Sequence, residues 1–468
     1  MGFGGGAFGT GSYSYSVIDN QTIQLNQQKG VIYANATISE IQNVVSQNGA
    51  ISGTVAYSEP ATSKYYKKFI ATLSNFKNQN PTNLLSNSGT SGIGEAPQLS
   101  STYAQYDDGA SVFNFYDNFA GTSLNTNKWI LDTGVNPIVN NGITLPAETS
   151  VGTNSRAGIV ANTGNLGGTN FIVEEYGYST ASSSQDSSLL SIVLSSSSTS
   201  YSGTNNVLYN LYSNQGGFGC QTSAGAFSGV NFTPTLPSTF YIQSINVSGT
   251  SGFAGYNEYS QYTSSLTAYS DTNEYAQLST SINSGVYTFA YWFRIRSYPP
   301  NNVMPSVSFG SFTSSSGASI TIPSGIDYYM PITITNNQSS ATPSPFQQMI
   351  QININNYSDY MYFDGNIANF EFFTSTGTII PAWIESNNNG TLTIWVKLSS
   401  GIGANSSITI YLGVANIYQF SITYPVAFTT EANIIYNSGI TASTTLTTLT
   451  ITLNSLQQMN GTIIVEGY

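Results

Sequence analysis

Apolar and polar side chains along this chain alternate mainly with a period of two. Phe69, Ala71 and Leu73 alternate with Ile70, Thr72 and Ser74, and Leu449, Ile451 and Leu453 alternate with Thr448, Thr450 and Thr452, as strands with one buried face do. Further strands are expected at 171–176, 189–194, 207–212, 240–247, 275–279 and 286–296, with another near Val307. Trp383 and Trp395 alternate with polar neighbours in the same fashion, so core packing is their expected role. Val31 to Tyr33, and Ile41 with Val44 and Val45, predict a few short strands behind a Gly-rich leader in residues 1–53. Runs with helical spacing are scarce, and the abundant Tyr, Phe, Ser, Thr, Asn and Gly suit pleated strands and turns. The expected fold class is all-β. Residues 78–110 have the composition of a linker.

Two distant stretches, 65–77 (YYKKFIATLSNFK) and 418–468, complete each other. Tyr424-Pro425 and Asn437-Ser438-Gly439 divide the second into short strands. An isolated hairpin is marginal in water, so the first stretch is expected to supply a missing strand. Read end to end, they run through Tyr66-Lys67-Lys68, Tyr424-Pro425 with Phe428, the Ser438-Gly439 turn, a Thr-rich strand and Ile463-Ile464-Val465-Glu466-Gly467-Tyr468. That series resembles the terminal β domain of viral tail-fibre and spike proteins. The resemblance implies one small domain, 54–77 plus 416–468, interrupted by a long insertion.

Within the insertion, Asp117, Phe119, Gly121, Thr122, Ser123, Leu124, Asn125, Lys128 and Trp129 resemble the opening of concanavalin-like jelly-roll domains, which implies a β-sandwich over 111–315. Such sandwiches often bind sugars and some hydrolyse them. The hydrolase members carry a Glu-x-Asp-x-x-Glu strand that this sequence lacks. Glu174 and Glu175 are adjacent and would point to opposite faces of a strand, so they form no acid–base pair, and no enzymatic activity is expected. Tyr291, Trp292, Arg294 and Arg296 are candidates to stack on or hydrogen-bond a glycan, although an aromatic run on a central strand is more often core. Residues 326–415, through Tyr329 to Asn336, Asp364 with Phe370 and Phe372, Pro381 to Glu385, Ile394 to Lys397 and Ile408 to Gly413, resemble a domain of unknown function from archaeal surface proteins. That resemblance implies a second β-sandwich.

Composition narrows the setting. Charged residues are 7% of the 468, against roughly 25% in ordinary soluble domains. There is no His, and Asp plus Glu number 22 against 10 Lys plus Arg. In strong acid the carboxylates are neutral and self-repulsion is limited to few cations, which fits an acid-exposed surface, although the same poverty of charge also occurs in neutral extracellular adhesins. Net charge −12 with no basic stripe argues against nucleic acid. Cys220 is the single cysteine, so no disulfide within the chain is possible, and it reads as a small buried side chain. No apolar run is long enough to span a membrane or form a signal-peptide core, so no membrane insertion is expected.

With neither His nor paired Cys, a metal would rest on oxygen ligands. Asp107, Asp108 and Asp117 are the clustered acids to consider for Ca²⁺, and no cofactor is expected. Asn-x-Ser/Thr sequences at Asn20, Asn35, Asn231, Asn246, Asn337, Asn356, Asn389, Asn405 and Asn460 are glycosylation candidates. Together these readings describe an exterior virion structural protein, a fibre, spike or turret-like subunit of an archaeal virus. It is expected to dock on other virion proteins through its N-terminal region, to self-associate and to meet host-surface glycans. The alternative is a cellular archaeal adhesin or pilus-like protein at the cell surface.

Overall fold

A computed structural model of the chain describes side chains over residues 83–86, 92–131, 135–146, 158–166, 170–178, 275–278 and 287–415; elsewhere it describes only the strands, as backbone. Nearly every element is a strand, and the described helices are limited to the four-residue Gly109–Val112 and three short 3-10 turns. The chain is all-β, as its alternation requires. None of the described helices is long and apolar enough to cross a membrane.

Two five-stranded sheets are built from opposite ends of the sequence. Lys67–Ser74 pairs antiparallel with Gly461–Gly467, setting Ala71 against Ile463 and Leu73 against Gly461, and its other edge takes Gln21–Asn26. In the second sheet Ala50–Ser58 pairs parallel with Phe420–Pro425. Strands before residue 54 therefore share sheets with strands after residue 416.

The jelly-roll region consists of an eight-stranded and a seven-stranded sheet. At the centre of the first, Phe171–Ser179 lies between Tyr241–Ser248 and Tyr287–Ser297. The opening motif is explained by packing. The Trp129 indole donates to Asp117 Oδ2 at 2.6 Å, Lys128 Nζ lies 3.3 Å from Asp117 Oδ1, and the Trp129 ring stacks on Phe119 at 5.5 Å.

The second sandwich sets a six-stranded sheet against a four-stranded one. Met330, Ile332 and Ile334 are buried while Pro331, Thr333 and Thr335 are not, the expected alternation for a half-buried strand. Their partners across the core include Phe346, Ile350, Ile394 and Val396. Two boundaries differ from the sequence reading. Ser306–Phe309 pairs with Tyr328–Asn336, so the strand near Val307 belongs to this sandwich and not to the jelly roll. Ile93–Glu95, inside the stretch read as linker, adds a parallel edge strand to Ala382–Asn388. Ile93 is fully buried, and burying that one side chain offsets a segment otherwise polar in composition.

Candidate functional site: an aromatic ledge beside a buried ionic contact

The two sandwiches meet across one face of the Phe171–Ser179 and Tyr287–Ser297 pair. Glu174 sits opposite Arg294, and Tyr176 opposite Trp292. Arg294 Nε donates to Glu174 Oε2 at 2.6 Å, and its Nη2 lies 2.6 Å from Glu385 Oε2, on the second sandwich. Arg296 adds bonds of 2.9 and 2.8 Å to the two Glu174 oxygens. Trp395 Nε1 donates to Glu385 Oε2 at 2.8 Å. The Arg294 guanidinium lies 4.6 to 5.5 Å from the rings of Phe113, Trp292, Trp383 and Trp395, within cation–π range. Burial alone would raise the Glu174 carboxyl, but the two guanidiniums outweigh it and hold it down at about 2.

These positions correct the sequence reading of the glycan candidates. Trp292, Arg294 and Arg296 are buried between the sandwiches, where no sugar reaches them, and of the four only Tyr291 is part-exposed. A charged residue on the outer face of a strand reads as solvent-facing; here a second domain covers that face.

The acids read as possible Ca²⁺ ligands are likewise already engaged. Asp107 accepts from Trp383 Nε1 at 2.7 Å, Gly109 N at 2.9 Å, Tyr116 Oη at 2.5 Å and Asn118 Nδ2 at 2.8 Å. Asp108 accepts from Ser111 Oγ at 2.5 Å, and Asp117 from Trp129 and Lys128 as above. No group of three potential metal ligands occurs among the described residues. Glu175 points to the opposite face from Glu174, is fully buried with neither carboxylate oxygen hydrogen-bonded, and burial pushes its carboxyl well up.

Beside the ionic contact the same sheet face carries part-exposed aromatic side chains. Tyr176, Tyr178, Phe289 and Tyr291 are half-buried and Tyr287 is 41% exposed. Tyr291 lies 4.9 Å from Phe289, 6.0 Å from Tyr176 and 6.1 Å from Tyr103, and Phe289 lies 5.4 Å from Tyr178. Tyr103 Oη donates to the carbonyls of Asn118 and Tyr291 at 2.6 and 3.1 Å, fixing its ring at one end, and Tyr178 hydrogen-bonds Tyr287 at the other.

A bulge creates this row. Tyr176 pairs with Trp292 but Gly177 pairs with Ala290, leaving Tyr291 as the extra residue. A Cβ at Gly177 would meet the Phe289 carbonyl oxygen at 2.3 Å, so only glycine allows that close approach. The run Tyr287-x-Phe289-x-Tyr291 is visible in the sequence as alternate aromatics. The sequence reading passed over Tyr287 and Phe289 because it took Tyr291 together with its buried neighbours.

No family model matches the chain. Over 96 residues it is 41% identical to "Uncharacterized protein 562" of Sulfolobus islandicus rod-shaped virus 1; the match spans 20% of this chain and 16% of that protein's length. The likeness supports a viral origin. Similar solved structures include a glycosyl hydrolase family protein from Mycobacterium fortuitum, at 12% identity and TM-score 0.29, covering 39% of this chain and 99% of that one. A beta-1,3-glucanase from Mycobacterium marinum is similar at 11% identity and TM-score 0.28, covering 39% and 98%. The expectation of no enzymatic activity is overturned by these hydrolase neighbours and is withdrawn. Neither the tail-fibre family nor the archaeal surface domain suggested by the sequence is matched.

Proposed function

We propose that this chain is a surface protein of a virus that binds glycans through the ledge of Tyr103, Tyr176, Tyr178, Tyr287, Phe289 and Tyr291. The ledge itself is the observation that carries the reading. Ring faces stack on the apolar faces of sugars, while the phenol hydroxyls supply hydrogen-bond partners at the wet edge. The charges beside the ledge, Arg294, Arg296, Glu174 and Glu385, are buried and paired with one another, which favours a neutral polysaccharide. The viral relative and the carbohydrate-acting neighbours agree with this reading. Display on the virion exterior, with docking to other virion proteins and self-association through the two terminal sheets, completes the proposal.

The test is binding to cell-surface polysaccharides by an immobilised-glycan assay, with released reducing ends measured on the same samples so that turnover is scored alongside binding. Tyr287→Ala with Phe289→Ala is expected to weaken binding at least tenfold, about 1.4 kcal/mol, with the thermal unfolding profile of the sandwiches retained. Unchanged binding by that variant would remove the ledge from the mechanism.

A further inference from the structure

Four of the nine Asn-x-Ser/Thr sequences lie in the second sandwich, and there the structure separates asparagines in a way the motif does not. Asn337, Asn356, Asn389 and Asn405 are all exposed, and their side-chain amides make no hydrogen bond within the described residues. Their immediate neighbours behave differently. Asn336 Nδ2 donates to the carbonyls of Ser340, Ile402 and Gly403 at 2.9, 3.3 and 3.0 Å, and Asn355 Nδ2 donates to the Asn389 carbonyl at 3.0 Å. In each pair one asparagine ties a loop down and the next holds its amide out to solvent. Asn246, by contrast, lies mid-strand with partners on both sides.

The four sites fall into two groups. Asn405 N donates to the Gln338 carbonyl at 3.0 Å, bringing the Asn337 and Asn405 loops together at the end of the sandwich where Asn336 pairs with Ser406. Ile354 N donates to the Gly390 carbonyl at 2.8 Å, joining the Asn356 and Asn389 loops where Asn353 pairs with Thr391. Phe346 pairs with Leu398 at the far end of that same ladder, so the groups cap opposite ends.

We propose that Asn337, Asn356, Asn389 and Asn405 are N-glycosylation sites, modified in two pairs at the two ends of the second sandwich. The donor class is an oligosaccharide carried on a polyprenyl phosphate or diphosphate, transferred by the host's membrane oligosaccharyltransferase. Asn Nδ2 forms a bond to C1 of the first sugar and the C1–O bond to phosphate breaks. The polyprenyl carrier leaves with the electron pair, and the amide proton passes to solvent through the transferase. The inference stands apart from the ledge, since it concerns sugars the protein would carry and not sugars it would bind.

The full chain, expressed with an export signal in an archaeal cell whose surface proteins carry N-glycans, is examined by peptide mass spectrometry. The expected result is oligosaccharide mass on the four peptides. Asn389 and Asn405 have φ of +52° and +47°, which Gln tolerates poorly, so the hydroxyl is removed instead. Ser339→Ala, Ser358→Ala, Thr391→Ala and Ser407→Ala should each abolish modification at one site and leave the other three. Four unmodified peptides would overturn the proposal, as would modification that persists in the hydroxyl variants.

Discussion

Arg294 serves two carboxylates at once, Glu174 on its own sheet and Glu385 on the other sandwich, inside a shell of four aromatic rings. Removing one partner of a buried ionic group leaves the others desolvated and unpaired, at about 3–5 kcal/mol. Arg294→Ala is therefore expected to cost about that much, read as a lowered unfolding midpoint. Arg294→Lys should recover only part of it, because an ammonium lacks the planar fork that reaches both carboxylates. Equal stability for Arg294→Ala and the parent would show the contact to be energetically idle. Asp107 plays a related part through neutral donors, accepting from Trp383 on one sandwich and from Tyr116 and Asn118 on the other side of the contact.

Among the elements, the Tyr287–Ser297 strand combines both roles. Its Tyr287 to Tyr291 half presents the ledge, and in its other half Trp292, Arg294 and Arg296 are buried against the second sandwich, with the bulge between them. Gly177→Ala would press a methyl into the Phe289 carbonyl at 2.3 Å and should destabilise by about 1–3 kcal/mol as an overpacking change. It should also weaken glycan binding, because relief requires the two strands to part beneath the ledge. Normal stability and binding in that variant would refute the steric account. The strand itself was legible in the sequence, since alternation and aromatic content mark it out. Its aromatic run also read as core, but the cover over Arg294 and Arg296 was not legible, because periodicity reports which side chains share a face and says nothing of what covers that face. For the same reason the strand around Val307 could be predicted but not assigned to its sheet: Val307 pairs with Ile334, a choice made by tertiary contact. Ile93 was missed because a three-residue edge strand set among Gly, Ser and Pro carries too little pattern to register.

For the whole molecule, the buried carboxyls make a joint statement about pH. Burial raises Glu95 to about 8 and Glu371 to about 7 from 4.5, and Asp107 to about 6 from 3.8. A raised carboxyl binds its proton more tightly in the folded state, so the stability it contributes is present below its ordinary value and is lost as pH rises through the raised one. Glu174 has the opposite sign: its contribution is present above 4.5 and is lost as pH falls through about 2. The unfolding temperature is therefore expected to rise from pH 8 to about pH 4.5 and to fall again between there and about pH 2, as followed by calorimetry. A maximum near neutrality would contradict the assigned shifts.

The sharing of sheets between the two ends of the chain also sets a clock. Lys67–Ser74 cannot pair with Gly461–Gly467 until the ribosome has made the nearly four hundred residues between them, roughly 20 to 80 s at about 5–20 residues per second. Strands of both sandwiches emerge in that interval and have their partners nearby. The early strands meanwhile wait with open edges, which are ready templates for the same strands of neighbouring nascent chains. Synthesis of many copies side by side would turn that delay into competition between completing one's own sheet and joining another's.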